Sequence, residues 1–210
     1  MTGLFITFEG GEGTGKSTQV RRLADYFRAQ GRAVVETREP GGTPAGEALR
    51  NLLVTGEVGR WSAEAEAMLN AAARSVHVRD VIAPALAQGD VVISDRFIDS
   101  TRAYQGYAGG CSFDLINSLE KAAIGDCRPN LTFVLDLDAA LGLARAKARG
   151  DGMEDRYERK GLAFHEKLRA GFLVIAKAEP KRCAVIDASL DIESVASAIQ
   201  QALKVHSHGR

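Results

Sequence analysis

Near its start the chain carries Gly10-Gly11-Glu12-Gly13-Thr14-Gly15-Lys16-Ser17, the run that most restricts what it can fold into. The run fits the spacing GxxxxGK[ST]. It follows the apolar stretch Leu4–Glu9 and opens a segment in which Val20, Leu23, Ala24 and Phe27 recur at helical spacing. A strand, a glycine-rich turn and a helix in that order present backbone N–H groups and the positive end of a helix to one point, which suits a phosphate. Lys16 is then expected to reach the β- and γ-phosphates of a nucleotide, and the Ser17 hydroxyl to ligate Mg²⁺. Thr18, at the helix start, completes the expected nucleotide-binding run Gly10–Thr18.

The rest of the chain repeats the alternation. Short apolar runs at Leu4–Glu9, Ala33–Arg38, Val91–Ser94, Leu131–Asp136 and Cys183–Asp187 read as strands covered on both faces. Helical patterns fall at about 16–29, 45–54, 63–87, 112–124, 138–148, 161–178 and 191–205. The alternation implies an α/β fold with a mainly parallel five-stranded sheet and helices on both sides. Ligands of such sheets bind beyond the carboxyl ends of the strands. No repeat or linker interrupts the pattern, so residues 1–210 are expected to form a single domain. The Gly-, charge- and Arg-rich stretch 149–160 reads as an exposed mobile loop between two helices.

Composition narrows the partners. Lys plus Arg and Asp plus Glu balance at 27 each, so no global basic field favours nucleic acid. No apolar run reaches the ~18 residues of a membrane span, and no secretion signal precedes the first strand. Cys111, Cys127 and Cys183 are odd in number and widely spaced, as in a reducing cytoplasm. A cytoplasmic location is therefore expected, without nucleic acid or membrane partners. His206 and His208 lie in a polar tail that reads as frayed.

A second constellation follows Val91–Ser94. Asp95 and Arg96 stand at a strand's carboxyl end, where the acid can hold Mg²⁺ through water and the guanidinium can grip a phosphate. A structural Asp–Arg ion pair is the alternative. Arg38 ends the second strand ahead of Glu39-Pro40-Gly41-Gly42-Thr43, and Arg38 with Arg50 form a candidate monophosphate clamp or are simply solvated. Asp136, at the end of another apolar strand, is a secondary acid candidate.

Taken in order, these motifs resemble the bacterial thymidylate kinases, nucleoside-monophosphate kinases with a P-loop. The resemblance rests on Phe8 through Thr18, Thr37-Arg38-Glu39-Pro40-Gly41-Gly42-Thr43, Ala72-Ala73-Arg74, Asp95-Arg96-Phe97 and Ser100 through Gly106. Arg128 through Thr132, Asp155-Arg156-Tyr157-Glu158 and Ile186-Asp187-Ala188 extend it. It implies a three-layer P-loop NTPase fold with an Arg-rich lid near 149–160. It also implies transfer of the ATP γ-phosphoryl group to dTMP, with Mg²⁺, in a homodimer for which the 63–87 helix offers a face. A kinase for another monophosphate or a deoxynucleoside, or a P-loop regulatory ATPase, shares parts of the pattern.

Residue by residue, the resemblance implies that Glu12 accepts from the sugar 3′-hydroxyl and Arg74 donates to a thymine carbonyl. Thr101 and Gln105 would read the base, and Tyr104 would pack under the deoxyribose. Arg38, Glu39, Pro40, Arg50 and Arg96 would surround the acceptor phosphate. A Phe that stacks on thymine is usual four residues before the base-reading Arg, and Asn70 stands there instead. On the 63–87 helix, Met68, Leu69, Ala72 and Val76 read as the apolar face, with Asn70 and Arg74 opposite. The phosphate loop has small Gly13 and Thr14 where some members carry an arginine, so Arg149 and Arg156 of the lid, supported by Arg145, are expected to close over ATP.

Overall fold

The computed structural model describes residues 3–149 and 156–208. Its centre is β1 (Leu4–Glu9), which leads through the glycine-rich loop into α1 (Lys16–Ala29). Then come β2 (Val34–Arg38), α2 (Pro44–Val54) and α3 (Ala63–His77), which runs through a π-helical turn, Val78–Ile82, into α4 (Ala83–Gln88). Next are β3 (Val91–Asp95), α5 (Ile98–Thr101) with the π-helical Arg102–Ala108 behind it, and α6 (Phe113–Ile124). The order closes with β4 (Leu131–Asp136), α7 (Ala139–Arg149), α8 (Leu162–Ala178), β5 (Cys183–Asp187) and α9 (Ile192–His208).

The strands pair in parallel in the order β2-β3-β1-β4-β5. Successive side chains of a strand face opposite sides, and both sides are apolar. Ile6 and Phe8 of β1, with Leu131, Phe133 and Leu135 of β4, pack on Val20, Leu23 and Phe27 of α1 and Val195, Ile199 and Leu203 of α9. Phe5 and Val92 face the other way, against Val78, Ile82 and Ile98, while Val134 meets Leu168 and Phe172 of α8. The result is the expected three-layer α/β fold. The chain leaves β1 to build one side of the sheet and returns to build the other, so a crevice opens at the carboxyl end of β1.

Four local readings change. The helix at Ile98 continued by Arg102–Ala108 was not visible as an apolar period. Within 149–160, residues 150–155 lie outside the described residues; Arg156 is buried and Glu158–Lys160 form a 3₁₀ turn rather than an exposed loop. The carboxyl-terminal helix runs to His208, so His206 is helical rather than frayed. On α3 the inward face is inverted: Glu66, Arg74 and His77 are buried, whereas Met68 is 50% exposed and Ala72 is exposed. Among the described residues no helix is long and apolar enough to cross a membrane.

Candidate active site

The phosphate loop is held from two sides. Gly10 has φ +136°, and a Cβ there would lie 2.5 Å from the Leu135 carbonyl oxygen of β4. Gly13 has φ +67°, and its Cβ would lie 2.1 Å from the Gly142 carbonyl oxygen of α7. Only glycine meets both the handedness and the approach. Gly15 starts α1 without a side-chain cap, which leaves first-turn N–H donors for an anion. Lys16 Nζ folds onto the loop, donating to the carbonyls of Gly10 and Gly11 and to Thr14 Oγ1 at 3.2, 2.7 and 3.3 Å. Burial and the nearby Arg96 pull its pKa down to about 8, against the raising effect of Asp95 and Glu12.

Ser17 Oγ donates to Asp95 Oδ2 at 2.6 Å, so the two expected magnesium-side groups are neighbours. Asp95 arrives there because β3 pairs in register with β1, Phe8 opposite Asp95. A hydroxyl and one carboxylate are the hard oxygen donors that suit Mg²⁺, whose remaining positions go to water and phosphate. Among the described residues no cluster of three or more His, Cys, Asp or Glu could cage a metal. Asp136, the secondary acid, is committed elsewhere: Arg169 donates to both its oxygens at 2.6 and 2.9 Å.

Arg96 joins the loop to a second cavity. It is the one non-glycine residue with positive φ (70°) among the described residues, and such strain collects where function requires a fixed side chain. NH1 donates to the Gly10 carbonyl at 2.9 Å and Ser100 Oγ at 3.2 Å, and NH2 to Glu12 Oε1 at 3.1 Å. The guanidinium also lies over the Tyr104 ring, 5.0 Å from its centroid. Below it Glu9, fully buried, accepts from Phe97 N–H at 2.8 Å and Ser100 Oγ at 2.6 Å. Burial and Asp99 push the Glu9 carboxyl up to about 7. Glu12 goes the other way: burial would raise it, but Arg96, Lys16 and the Tyr104 hydroxyl hold it at about 2. Glu12 is therefore an anionic acceptor at the seam between loop and cavity.

That cavity, about 110 Å³, is lined by Glu12, Glu39, Pro40, Arg50, Asn70, Arg96, Thr101, Tyr104 and Gln105, together with Ser100, Tyr157 and Glu158. The structure thus brings together most of the expected acceptor residues. Arg50 bonds the Pro40 carbonyl at 3.0 Å. Asn70 Nδ2 donates to the Glu66 carbonyl at 2.8 Å. Arg74 lies behind the wall, donating to Glu39 Oε2 at 2.6 Å, Thr101 Oγ1 at 3.1 Å and the Phe97 carbonyl at 2.9 Å. Its two terminal nitrogens each retain a second hydrogen.

Two expectations are corrected. Arg38 does not reach this cavity: it pairs with Glu47 at 3.0 Å and lines an open groove with Ser17 and Asp95. The chain turns at Glu39-Pro40, so Glu39, not Arg38, points to the acceptor side. Arg156 does not face the phosphate loop. It is fully buried, with NH2 on Glu66 Oε1 at 2.6 Å and its other nitrogens on backbone carbonyls. Arg145, by contrast, sits against the loop, its Cβ 3.1 Å from the Cβ position of Gly13, and Arg149 follows one turn later at the end of α7. The side chain of Arg149, and all of Asp155, lie outside the described residues. Burial raises the thiols of Cys111, Cys127 and Cys183, which leaves them poor nucleophiles.

Sequence reading missed Glu9, Ser100, Tyr157 and Glu66. Ser100 and Tyr157 lie within recognisable motifs, but their hydrogen-bonding or cavity-facing roles depend on packing rather than spacing.

A phosphate loop sharing Arg96 and Glu12 with an adjoining cavity is built for passing a phosphoryl group between two bound molecules, and the class is that of the P-loop kinases. A family model for thymidylate kinase matches residues 8–199, and the chain belongs to that family. It is 56% identical over 197 residues to the thymidylate kinase of Caulobacter vibrioides, covering 94% of each. It is 50% identical to that of Bradyrhizobium sp. strain ORS 278, over 96% of this chain and 90% of the relative. The crystal structure of thymidylate kinase from Ehrlichia chaffeensis matches with a TM-score of 0.79 at 37% identity, covering 97% of this chain and 99% of that one.

Proposed function

We propose that the chain transfers the γ-phosphoryl group of ATP to dTMP, giving dTDP and ADP, by direct in-line attack without a phospho-enzyme. The observation that carries this reading is Arg96, bonded at once to the loop carbonyl of Gly10 and to Glu12 of the acceptor cavity. Arg50 and Arg96 hold the acceptor phosphate, converting a bimolecular encounter into a positioned one. Glu12 accepts from the sugar 3′-hydroxyl while Tyr104 packs beneath the sugar. The loop N–H groups and Lys16 bind the donor phosphates, Arg145 stands against the loop on α7, and Arg149 is the next arginine along that helix. Ser17 directly, and Asp95 through water, would hold Mg²⁺, which when bound neutralises phosphate charge.

At the base end, Thr101 and Gln105 supply polar contacts, Arg74 holds Thr101 and Glu39 from behind the wall, and Asn70 takes the place of a stacking ring. Coupled ADP release with Mg-ATP, comparing dTMP, dUMP, dCMP, dGMP and no acceptor, tests the reaction. Preference for dTMP is expected; turnover indifferent to the acceptor would sink the kinase reading. In the same assay Asn70→Phe is expected to lower the KM for dTMP about fivefold, the equivalent of about 1 kcal/mol of ring stacking. An unchanged KM would mean the base plane lies elsewhere.

The half-exposed Met68, with Leu69, Ala72 and Val76, forms an apolar stripe on α3 turned away from the domain's interior. It is the face we assign to a homodimer, in a protein working in the cytoplasm.

A further inference from the structure

Behind the acceptor cavity lies a buried charge cluster that takes no part in the chemistry above. Glu66 of α3 is 1% exposed, yet its two oxygens gather three donor side chains from two distant segments. Oε1 accepts from Arg156 NH2 at 2.6 Å and Lys160 Nζ at 3.2 Å; Oε2 accepts from Gln105 Nε2 at 2.8 Å and Lys160 Nζ at 3.4 Å. A carboxylate is kept in such a place only when it is paired and fully hydrogen-bonded.

The partners give the cluster its meaning. Gln105 lines the acceptor cavity. Arg156, fully buried, also donates from Nε to the Glu57 carbonyl at 3.0 Å, from NH1 to Leu53 at 2.9 Å and from NH2 to Val58 at 3.0 Å. Its backbone N–H reaches the Val54 carbonyl at 3.3 Å. Leu53 and Val54 form the last turn of α2, where carbonyls lack intrahelical donors and a cation opposes the negative end of the dipole. The same helix carries Arg50, which faces the acceptor phosphate position. Between these partners Tyr157 lines the cavity, with its ring edge-on to Tyr104 at 5.3 Å and Lys160 Nζ 5.0 Å from its centroid.

We propose that Glu66 is a positioning residue: it fixes Gln105 against the base and anchors the returning end of the lid, Arg156 to Lys160, to the helix that carries Arg50. Arg156 is then an anchor acting through Glu66, not a group that touches the transferring phosphoryl. The inference rests on the dTMP kinase reading, and its test separates the two. Wild-type turnover with dTMP tests the reading. A double-mutant cycle of Glu66→Gln and Arg156→Met tests the anchor. Each single variant is expected to raise the KM for dTMP about tenfold while changing the KM for ATP less than twofold, and the double variant to be no worse than the poorer single. Gln105→Leu, which leaves the ion pair in place, is expected to raise the dTMP KM alone. Thermal melts confirm that each variant is folded before its kinetics are compared. If Arg156→Met instead lowers kcat at unchanged dTMP KM, and its effect multiplies with that of Glu66→Gln, Arg156 acts on the phosphoryl group and the proposal is overturned. A normal dTMP KM in folded Glu66→Gln overturns it as well.

Discussion

Replacing Lys16 by alanine lowers kcat/KM for phosphoryl transfer by about 10²–10³, or about 3–4 kcal/mol of transition-state stabilisation, the loss expected when one preorganised charged donor is removed. The fold is expected to survive. Among the described residues Lys16 Nζ bonds only to the Gly10 and Gly11 carbonyls and Thr14 Oγ1, and it belongs to no hydrophobic core cluster. The loop's shape comes instead from Gly10 against β4 and Gly13 against α7. Lys16→Ala should therefore melt close to wild type while losing activity, and steady-state kinetics separate the causes. A fall in kcat at modest change in the ATP KM means the ammonium follows charge that develops during transfer. A higher ATP KM at unchanged kcat would mean that it binds donor and transition state alike. Lys16→Arg is not expected to rescue: a planar fork cannot replace a compact point charge inside so narrow a loop.

The loop and the sheet were legible because their signals are local. Each strand is a short apolar run buried on both faces, and the five runs match the sheet to within a residue at either end. The glycine run carried its chemistry in eight consecutive positions. What failed was the reading of polar side chains whose partners are remote. On α3, Met68 and Ala72 looked like the buried face, because hydrophobic pattern alone ranks a methionine inside and a glutamate outside. The fold reverses this by supplying Glu66 with Arg156 and Lys160 from some 90 residues away, and Arg74 with Glu39 and Thr101. Arg156 was misread for the same reason: in a charge-rich stretch it resembles a solvated lid residue, and only the placement of Glu66 shows that it is buried. Arg38 and Glu39 are adjacent in sequence, yet the turn between them sends one to the Ser17–Asp95 side and the other to the acceptor cavity. No spacing rule distinguishes the two. Among the described residues no buried side-chain nitrogen or oxygen lacks a hydrogen-bond partner, so each of these inward polar groups is satisfied within its own cluster.

Arg74→Met should expose how strongly that network is built. Arg74 and Glu39 are both nearly inaccessible, 4% and 3% for their side chains, and are joined at 2.6 Å. Glu39 also meets His77 Nδ1 at 2.9 Å, and His77 Nε2 in turn meets Thr37 Oγ1 at 2.6 Å. Removing one member of a buried pair strands the other charge, at a cost of about 3–5 kcal/mol. For a chain of this size that is a fall of about 10 °C in melting temperature, at about 2–4 °C per kcal/mol. Part of the cost comes from the Phe97 carbonyl and Thr101 hydroxyl, which lose a donor in the same substitution. The double variant Arg74→Met with Glu39→Gln removes the stranded charge and should recover a large part of the stability, because a buried ion pair is often no better than a neutral replacement. Function should not recover with it. Thr101 and Glu39 line the cavity that Arg74 supports from behind, so the double variant is expected to melt near wild type yet bind dTMP weakly. If it regained both stability and dTMP affinity, Arg74 would be a structural arginine with no part in holding the base end of the site. If the single variant melted like wild type, the Glu39 carboxylate would have found another donor, and the buried network would be looser than its distances show.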